Sequence, residues 1–176
     1  MPEGSVDATI LLATSWQALK RAKSGDERTM ICNCTIVVVF AAFFIEANLN
    51  HIIEKMGKTT EMLQFLGNAN SGLQHKLAWF YNRFVARPKA VSKRQMYKNG
   101  IDRKLRRRFP GFYEIYDFRN NISHGIIDRH TANLGDAKRL RVSAKAIVDE
   151  LFQISEKAGY QIPRSVTYEV AITLNE

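Results

Sequence analysis

An arginine and a histidine with four residues between them stand in a segment that is otherwise strongly apolar. The stretch FRNNISHG occupies residues 118–125, and Phe112, Tyr116 and Ile126 border it. Polar side chains at the edge of a core cost free energy unless they are paired or used. An imidazole can transfer protons near pH 7, and a guanidinium binds anions through a planar fork of donors. We therefore take this segment as the candidate functional site.

The spacing of the two residues limits how they can meet. Each residue of an ideal helix turns about 100°, so Arg119 and His124 would point about 140° apart on a straight helix. Two arrangements would bring them together. The helix could be interrupted near Asn120 and Asn121, with Asn121 or Ser123 capping a new helix, or a second copy of the chain could supply part of the site.

The motif RNNISHG resembles the Arg-x4-His signature of the HEPN superfamily. Upstream, residues 40–56, which carry Glu46, are similar to the first core helix of that family, and residues 73–84 are similar to its middle part. The resemblance covers about residues 30–155. It implies an all-α helical bundle that acts, as a homodimer, as a metal-independent endoribonuclease, with the arginine and histidine at the dimer interface.

The resemblance also implies roles for individual residues. His124 would act as the acid or base, Arg119 would hold the phosphate, and the ribose 2′-hydroxyl would be the nucleophile, which restricts the activity to RNA. Asn120, Ser123 and Glu46 would support them. No cofactor and no metal site is expected, because the four histidines have no cysteine or carboxylate partners at ligand spacing.

One position departs from the family pattern. A HEPN branch whose antitoxin is a nucleotidyltransferase carries a tyrosine two residues after the histidine, where this chain has Ile126. Other toxin, antiphage defence or RNA-processing roles stay open, as does an antitoxin or another protein partner. The alternative is a catalytically inactive bundle that binds RNA or protein, in which Arg119 pairs with Glu46 and His124 caps a helix.

Positive charge is concentrated in one part of the chain. The net charge is +9, and residues 83–108 hold eleven lysines and arginines against a single acid, Asp102. Such a block attracts phosphates, although a solvated surface would have the same composition. The residues that we expect to bind RNA are Arg94, Lys98, Arg103, Lys104, Arg106, Arg107 and Arg108.

The remaining composition predicts a cytoplasmic protein that does not span a membrane. The uncharged run from Met30 to Ile45 is shorter than the roughly 20 residues of a spanning helix, so we expect a buried core helix. The first residues lack the basic start of a secretory signal. Cys32 and Cys34 are expected to be small core residues in a reducing compartment.

Apolar periodicity predicts a single up-and-down helical bundle. We expect an N-terminal helix within residues 1–26 and a bundle over residues 27–160, with a basic insertion at about 86–108 whose middle is a loop and whose end, 101–108, is a short helix. Residues 161–176 would form a tail or a short β-strand, because residues 165–174 alternate apolar and polar side chains.

Overall fold

A computed structural model of the chain describes residues 8–68, 71–86, 92–124 and 133–163. Over these residues every regular element is a helix, which confirms the predicted all-α bundle. The helices are α1 (Ala8–Ser24), α2 (Glu27–Lys55), α3 (Thr59–Leu66), α4 (Leu73–Phe84), α5 (Lys93–Lys98), α6 (Ile101–Arg108), α7 (Phe112–Ser123) and α8 (Leu134–Lys157). The predicted C-terminal strand lies outside the described residues.

Helix α2 is the centre of the bundle. It begins at Asp26, whose carboxylate accepts a hydrogen bond from the backbone N–H of Thr29 at 2.7 Å and so satisfies one of the free donors of the first turn. Helices α1, α4, α7 and α8 all contact it, and its fully buried side chains include Phe44, Ile45 and Leu49. Because α1 contributes Leu12 and other residues to the same core, it is a layer of this bundle.

One face of α2 remains exposed, whereas its apolar composition predicted a buried core helix. Ile36 and Phe43 are 37% and 38% exposed, and Cys32, one turn before Ile36, is exposed as well. Cys34 is fully buried as expected, whereas the same prediction for Cys32 was wrong. Among the described helices, α2 alone is long and apolar enough by length and composition to cross a membrane, a property that the core helix of a soluble protein shares.

The described part of the basic insertion, residues 92–108, is more helical than its composition predicts. The expected helix at its end is confirmed as α6, but residues 93–98, predicted as part of a loop, form α5. Ser92 caps α5 by accepting a hydrogen bond from the backbone N–H of Gln95 at 3.2 Å. Met96 is buried, and Tyr97 packs edge-on against the ring of His75 on α4. These apolar contacts hold a charged segment against the bundle.

Gly111 sets the start of the motif helix. Its φ of +80° lies in the left-handed region, and a Cβ at this position would lie 2.8 Å from the side chain of Ser143 on α8. Only glycine therefore fits here without displacing α8 or straining the backbone. From this turn α7 runs to Ser123, with Phe112, Ile115 and Phe118 buried against α2 and α8.

Candidate active site

The guanidinium of Arg119 lies at the junction of α7, α2 and α4. Its Nη2 is 3.8 Å from Oε2 of Glu46, and its Nη1 donates a hydrogen bond to Oδ1 of Asn120 at 3.2 Å. The guanidinium carbon is 5.8 Å from the centre of the Phe43 ring on the exposed face of α2. The side chain keeps 28% of its surface exposed, so a ligand in solvent can reach it.

Lys76 on α4 is the member of this site that the sequence analysis missed. Its ammonium donates to Oε1 of Glu46 at 3.0 Å, so each oxygen of that carboxylate faces a different cation. Two cations share one acid, and the cluster keeps one net positive charge. Lys76 is only 12% exposed. No signal in the sequence indicates this contact, because no spacing rule connects Lys76 with Glu46, thirty residues earlier.

The supporting residues take separate places. Asn120 contacts the Arg119 side chain directly, because its Oδ1 accepts the hydrogen bond from Nη1. Ser123 donates its hydroxyl to the backbone carbonyl of Arg119 at 2.9 Å, which ties it to the turn of its own helix. His124 is the C-terminal cap residue of α7, its backbone N–H bonds to the carbonyl of Asn120, and its side chain is exposed.

Of the two arrangements that could bring Arg119 and His124 together, a break in the motif helix is not observed. Helix α7 is continuous from Phe112 to Ser123, and Asn120 and Asn121 lie within it. The side chains of Arg119 and His124 therefore leave the helix in different directions, and one chain does not bring them together through a local break. Residues 125–132, which include Ile126 and His130, lie outside the described part of the chain. If the two residues meet, a second copy of the chain has to supply one of them.

A second polar cluster links α4, α6 and α7. The hydroxyl of Tyr113 donates to Oδ1 of Asp102 at 2.6 Å, and the amide of Gln74 donates to the same oxygen at 3.1 Å. Burial and the hydrogen bond to Asp102 raise the pKa of Tyr113. Burial, with the charge of Asp102, raises the pKa of Tyr97 to about 12. The Tyr113 hydroxyl therefore stays protonated at neutral pH and serves as a donor, whereas the buried Tyr97 hydroxyl has no hydrogen-bond partner among the described residues.

The predicted RNA-binding residues divide into two groups. Arg106 lies over the ring of Tyr113, 3.9 Å from its centre, and Arg108 forms an ion pair with Glu150 on α8. The other five are exposed and make no ion pair within the part of the chain that the structure describes. These five free cations are Arg94, Lys98, Arg103, Lys104 and Arg107.

The free cations include two like-charged pairs one helical turn apart, Arg94 with Lys98 on α5 and Arg103 with Arg107 on α6. Like charges at this spacing destabilise a helix by roughly 0.2–0.5 kcal/mol per pair. Such pairs, without acids to offset them, favour a surface that meets an anionic partner over one that only keeps the protein soluble.

His75 on α4 is only partly exposed. Burial, with the nearby charge of Lys93, lowers its pKa below the ordinary histidine value. Among the described residues no group of histidine, cysteine or carboxylate side chains is arranged to hold a metal ion.

Comparison of the chain with family models, with curated proteins and with solved structures found no match. None of these comparisons supports the HEPN resemblance, which depends on the motif and the two upstream stretches, and the functional assignment depends on the chemistry of the site.

Proposed function

We propose that the protein is a metal-independent endoribonuclease of HEPN type, active as a cytoplasmic homodimer in a toxin, defence or RNA-processing role. The observation that supports it most directly is the exposure and the charge of the Arg119 guanidinium. Its guanidinium is reachable from solvent and shares the Glu46 carboxylate with Lys76, so it retains donors and net positive charge for a phosphate.

The reaction needs only groups that this chain has. A base removes the proton of the ribose 2′-hydroxyl, the oxygen attacks the adjacent phosphorus, and the bond to the 5′-oxygen breaks. The leaving oxygen takes a proton from an acid, and the products are a 2′,3′-cyclic phosphate and a 5′-hydroxyl. His124 transfers protons, and Arg119 stabilises the negative charge that develops on the phosphate oxygens.

A second copy would complete the site through the exposed face of α2. Cys32, Ile36, Val39 and Phe43 follow each other at steps of four, three and four residues, the spacing of a coiled-coil seam. This seam is uncharged although the chain carries a net charge of +9, so two copies can approach here without direct repulsion. Because Phe43 contacts Arg119, a partner on this face would lie beside the catalytic arginine.

Subunit mixing tests both the activity and the shared site. Single-stranded RNA incubated in EDTA should be cleaved by the unaltered protein, and R119A and H124A should each abolish cleavage. If one copy supplies the arginine and the other the histidine, mixing the two inactive variants restores about a quarter of the activity, since half of the dimers carry one intact site. R139A, which alters an exposed arginine paired with Glu114, is the matched control.

Intact RNA at high concentrations of folded protein would contradict the nuclease assignment. The second candidate is then an inactive bundle that binds RNA or protein. The contact of Arg119 with Glu46 favours this candidate, because a carboxylate beside the guanidinium also gives that arginine a structural role. RNA binding without cleavage, unchanged in H124A, would identify this second function.

A further inference from the structure

The acid within the basic block has two hydrogen-bonding partners on other helices. Asp102 stands on α6 among arginines and lysines, yet it makes no ion pair with any described residue. Its Oδ1 accepts hydrogen bonds from Tyr113 on α7 and from Gln74 on α4, both neutral donors. An acid that only lowered the local charge would face solvent or one of the neighbouring cations. Asp102 instead joins three helices.

The same two helices are joined a second time through Glu46. Gln74 is two residues before Lys76 on α4, and Tyr113 is six residues before Arg119 on α7. Asp102 therefore connects α4 and α7 to α6, the basic helix, whereas Glu46 connects α4 and α7 to α2. At 1.5 Å per residue the two connections are about 9 Å apart along α7. The cations of α6 thus have a defined position relative to Arg119.

Arg106 extends this connection to the cations themselves. Its guanidinium lies over the Tyr113 ring, on the side chain whose hydroxyl binds Asp102. One turn separates Asp102 from Arg106, and the exposed Arg103 and Arg107 each follow one of these two residues, about 100° further around the helix. A change at the Asp102 carboxylate would therefore alter the direction in which these two free arginines point.

We propose that Asp102 is a positioning residue for RNA: with Tyr113 and Gln74 it fixes the basic helix so that Arg103 and Arg107 hold the RNA backbone in register with Arg119. This inference rests on the proposed function, because it concerns the binding of the same substrate. A negatively charged residue thus contributes to RNA binding, although charge alone predicts that removing this residue would strengthen the binding.

Asp102→Asn gives the decisive measurement because the two explanations differ in sign. Removing an acid from a basic surface should tighten RNA binding if only the local potential matters. The positioning role predicts binding of a single-stranded oligonucleotide about fivefold to tenfold weaker, because the neutral amide oxygen of asparagine holds Tyr113 and Gln74 more weakly than the carboxylate does. Asp117→Asn is the matched control, since Asp117 is an exposed acid on α7 without an ion pair in the described chain, and it should bind RNA as tightly as the unaltered protein or more tightly.

The salt dependence of binding separates positioning from a loss of stability. If Arg103 and Arg107 no longer reach phosphates together, the slope of log Kd against log salt concentration should become shallower by about one in D102N, because fewer counterions are released. A general loss of folded protein would reduce the bound fraction without changing that slope. Tyr113→Phe removes the hydroxyl without changing the charge, and it should reproduce the shallower slope.

Hydrogen exchange of α6 provides a readout that does not involve RNA. In D102N the amides of residues 101–108 should exchange faster, whereas those of α8 should not change. If the unaltered protein binds RNA, and D102N and Y113F bind it as tightly and with the same slope, the positioning role is wrong. That result would not affect the proposed function. Failure of the unaltered protein to bind RNA would overturn the proposed function instead, and faster exchange in α6 would then show only a connection between helices.

Discussion

Arg119 and Lys76 lie on opposite sides of one carboxylate, at 3.8 Å and 3.0 Å from the two oxygens of Glu46. The arrangement holds two cations from two helices next to the central helix of the bundle. Because the shorter contact is made by the more buried cation, Lys76 is the structural partner of Glu46 and Arg119 the more available one. This division of roles leads to the first prediction.

Glu46→Gln should lower the free energy of unfolding by about 1–2 kcal/mol, because it leaves the partly buried Lys76 without its charged acceptor. Urea unfolding followed by circular dichroism measures the change. Glu114→Gln breaks an exposed ion pair with Arg139 and should cost less than about 0.5 kcal/mol. Equal losses in the two variants would show that Glu46 has no special structural role.

Ile36→Lys should convert the proposed dimer to a monomer. A charge in the middle of an uncharged seam cannot be desolvated against a second copy that carries the same charge. Sedimentation velocity at several protein concentrations measures the shift in mass. Val142→Lys on α8 changes a side chain that is more exposed, at 65%, and lies outside the seam, so it should leave the mass unchanged. A dimer that survives in I36K would place the interface elsewhere.

Gly111→Ala should destabilise the protein by roughly 1–3 kcal/mol, through a strained backbone and a close approach to Ser143. Gly100 separates the two effects, because it has a similar φ of +67° and no atom within 4 Å of an added Cβ. We expect Gly100→Ala to cost only about 1 kcal/mol, the backbone part. Thermal and urea unfolding of the two variants measure the difference, and a larger loss at Gly100 would argue against close packing of α7 on α8.

The stability of the fold should fall as the pH decreases from about 7 to 5. Burial lowers the pKa of both His51 and His75, with Lys55 and Lys93 adding to the effect. Below the unfolded histidine pKa of about 6.5 the unfolded chain binds more protons than the folded chain, so acidification favours unfolding. Urea midpoints measured between pH 8 and 5 test the trend.

The double variant His51→Asn, His75→Asn provides the control for this pH dependence. It removes both titrating groups, and its midpoints should change less over the same interval, where carboxylates contribute little because they titrate near pH 4. A midpoint that rose on acidification in the unaltered protein would mean that the folded state binds protons more strongly, opposite to the direction expected from burial.

The sequence alone predicted the helical class, because apolar residues recur at helical spacing, and it predicted the N-terminal helix and the helix at the end of the basic insertion. The motif singled out Arg119 and Asn120, and the resemblance to the HEPN family implied Glu46 as a supporting residue. These features depend on neighbours in the chain. The short helix α5 escaped prediction because its burial depends on a contact between Tyr97 and His75, which are distant in sequence.

Tertiary packing decided which polar groups meet. No local pattern connects Lys76 with Glu46, or Asp102 with Gln74 and Tyr113, since each pair joins different helices. Packing also left one seam of α2 exposed, although its composition is that of a buried helix. The physical reason is common to all three results: hydrophobic periodicity determines which face of a helix avoids water, whereas the relative position of the helices determines which charges lie within reach of one another.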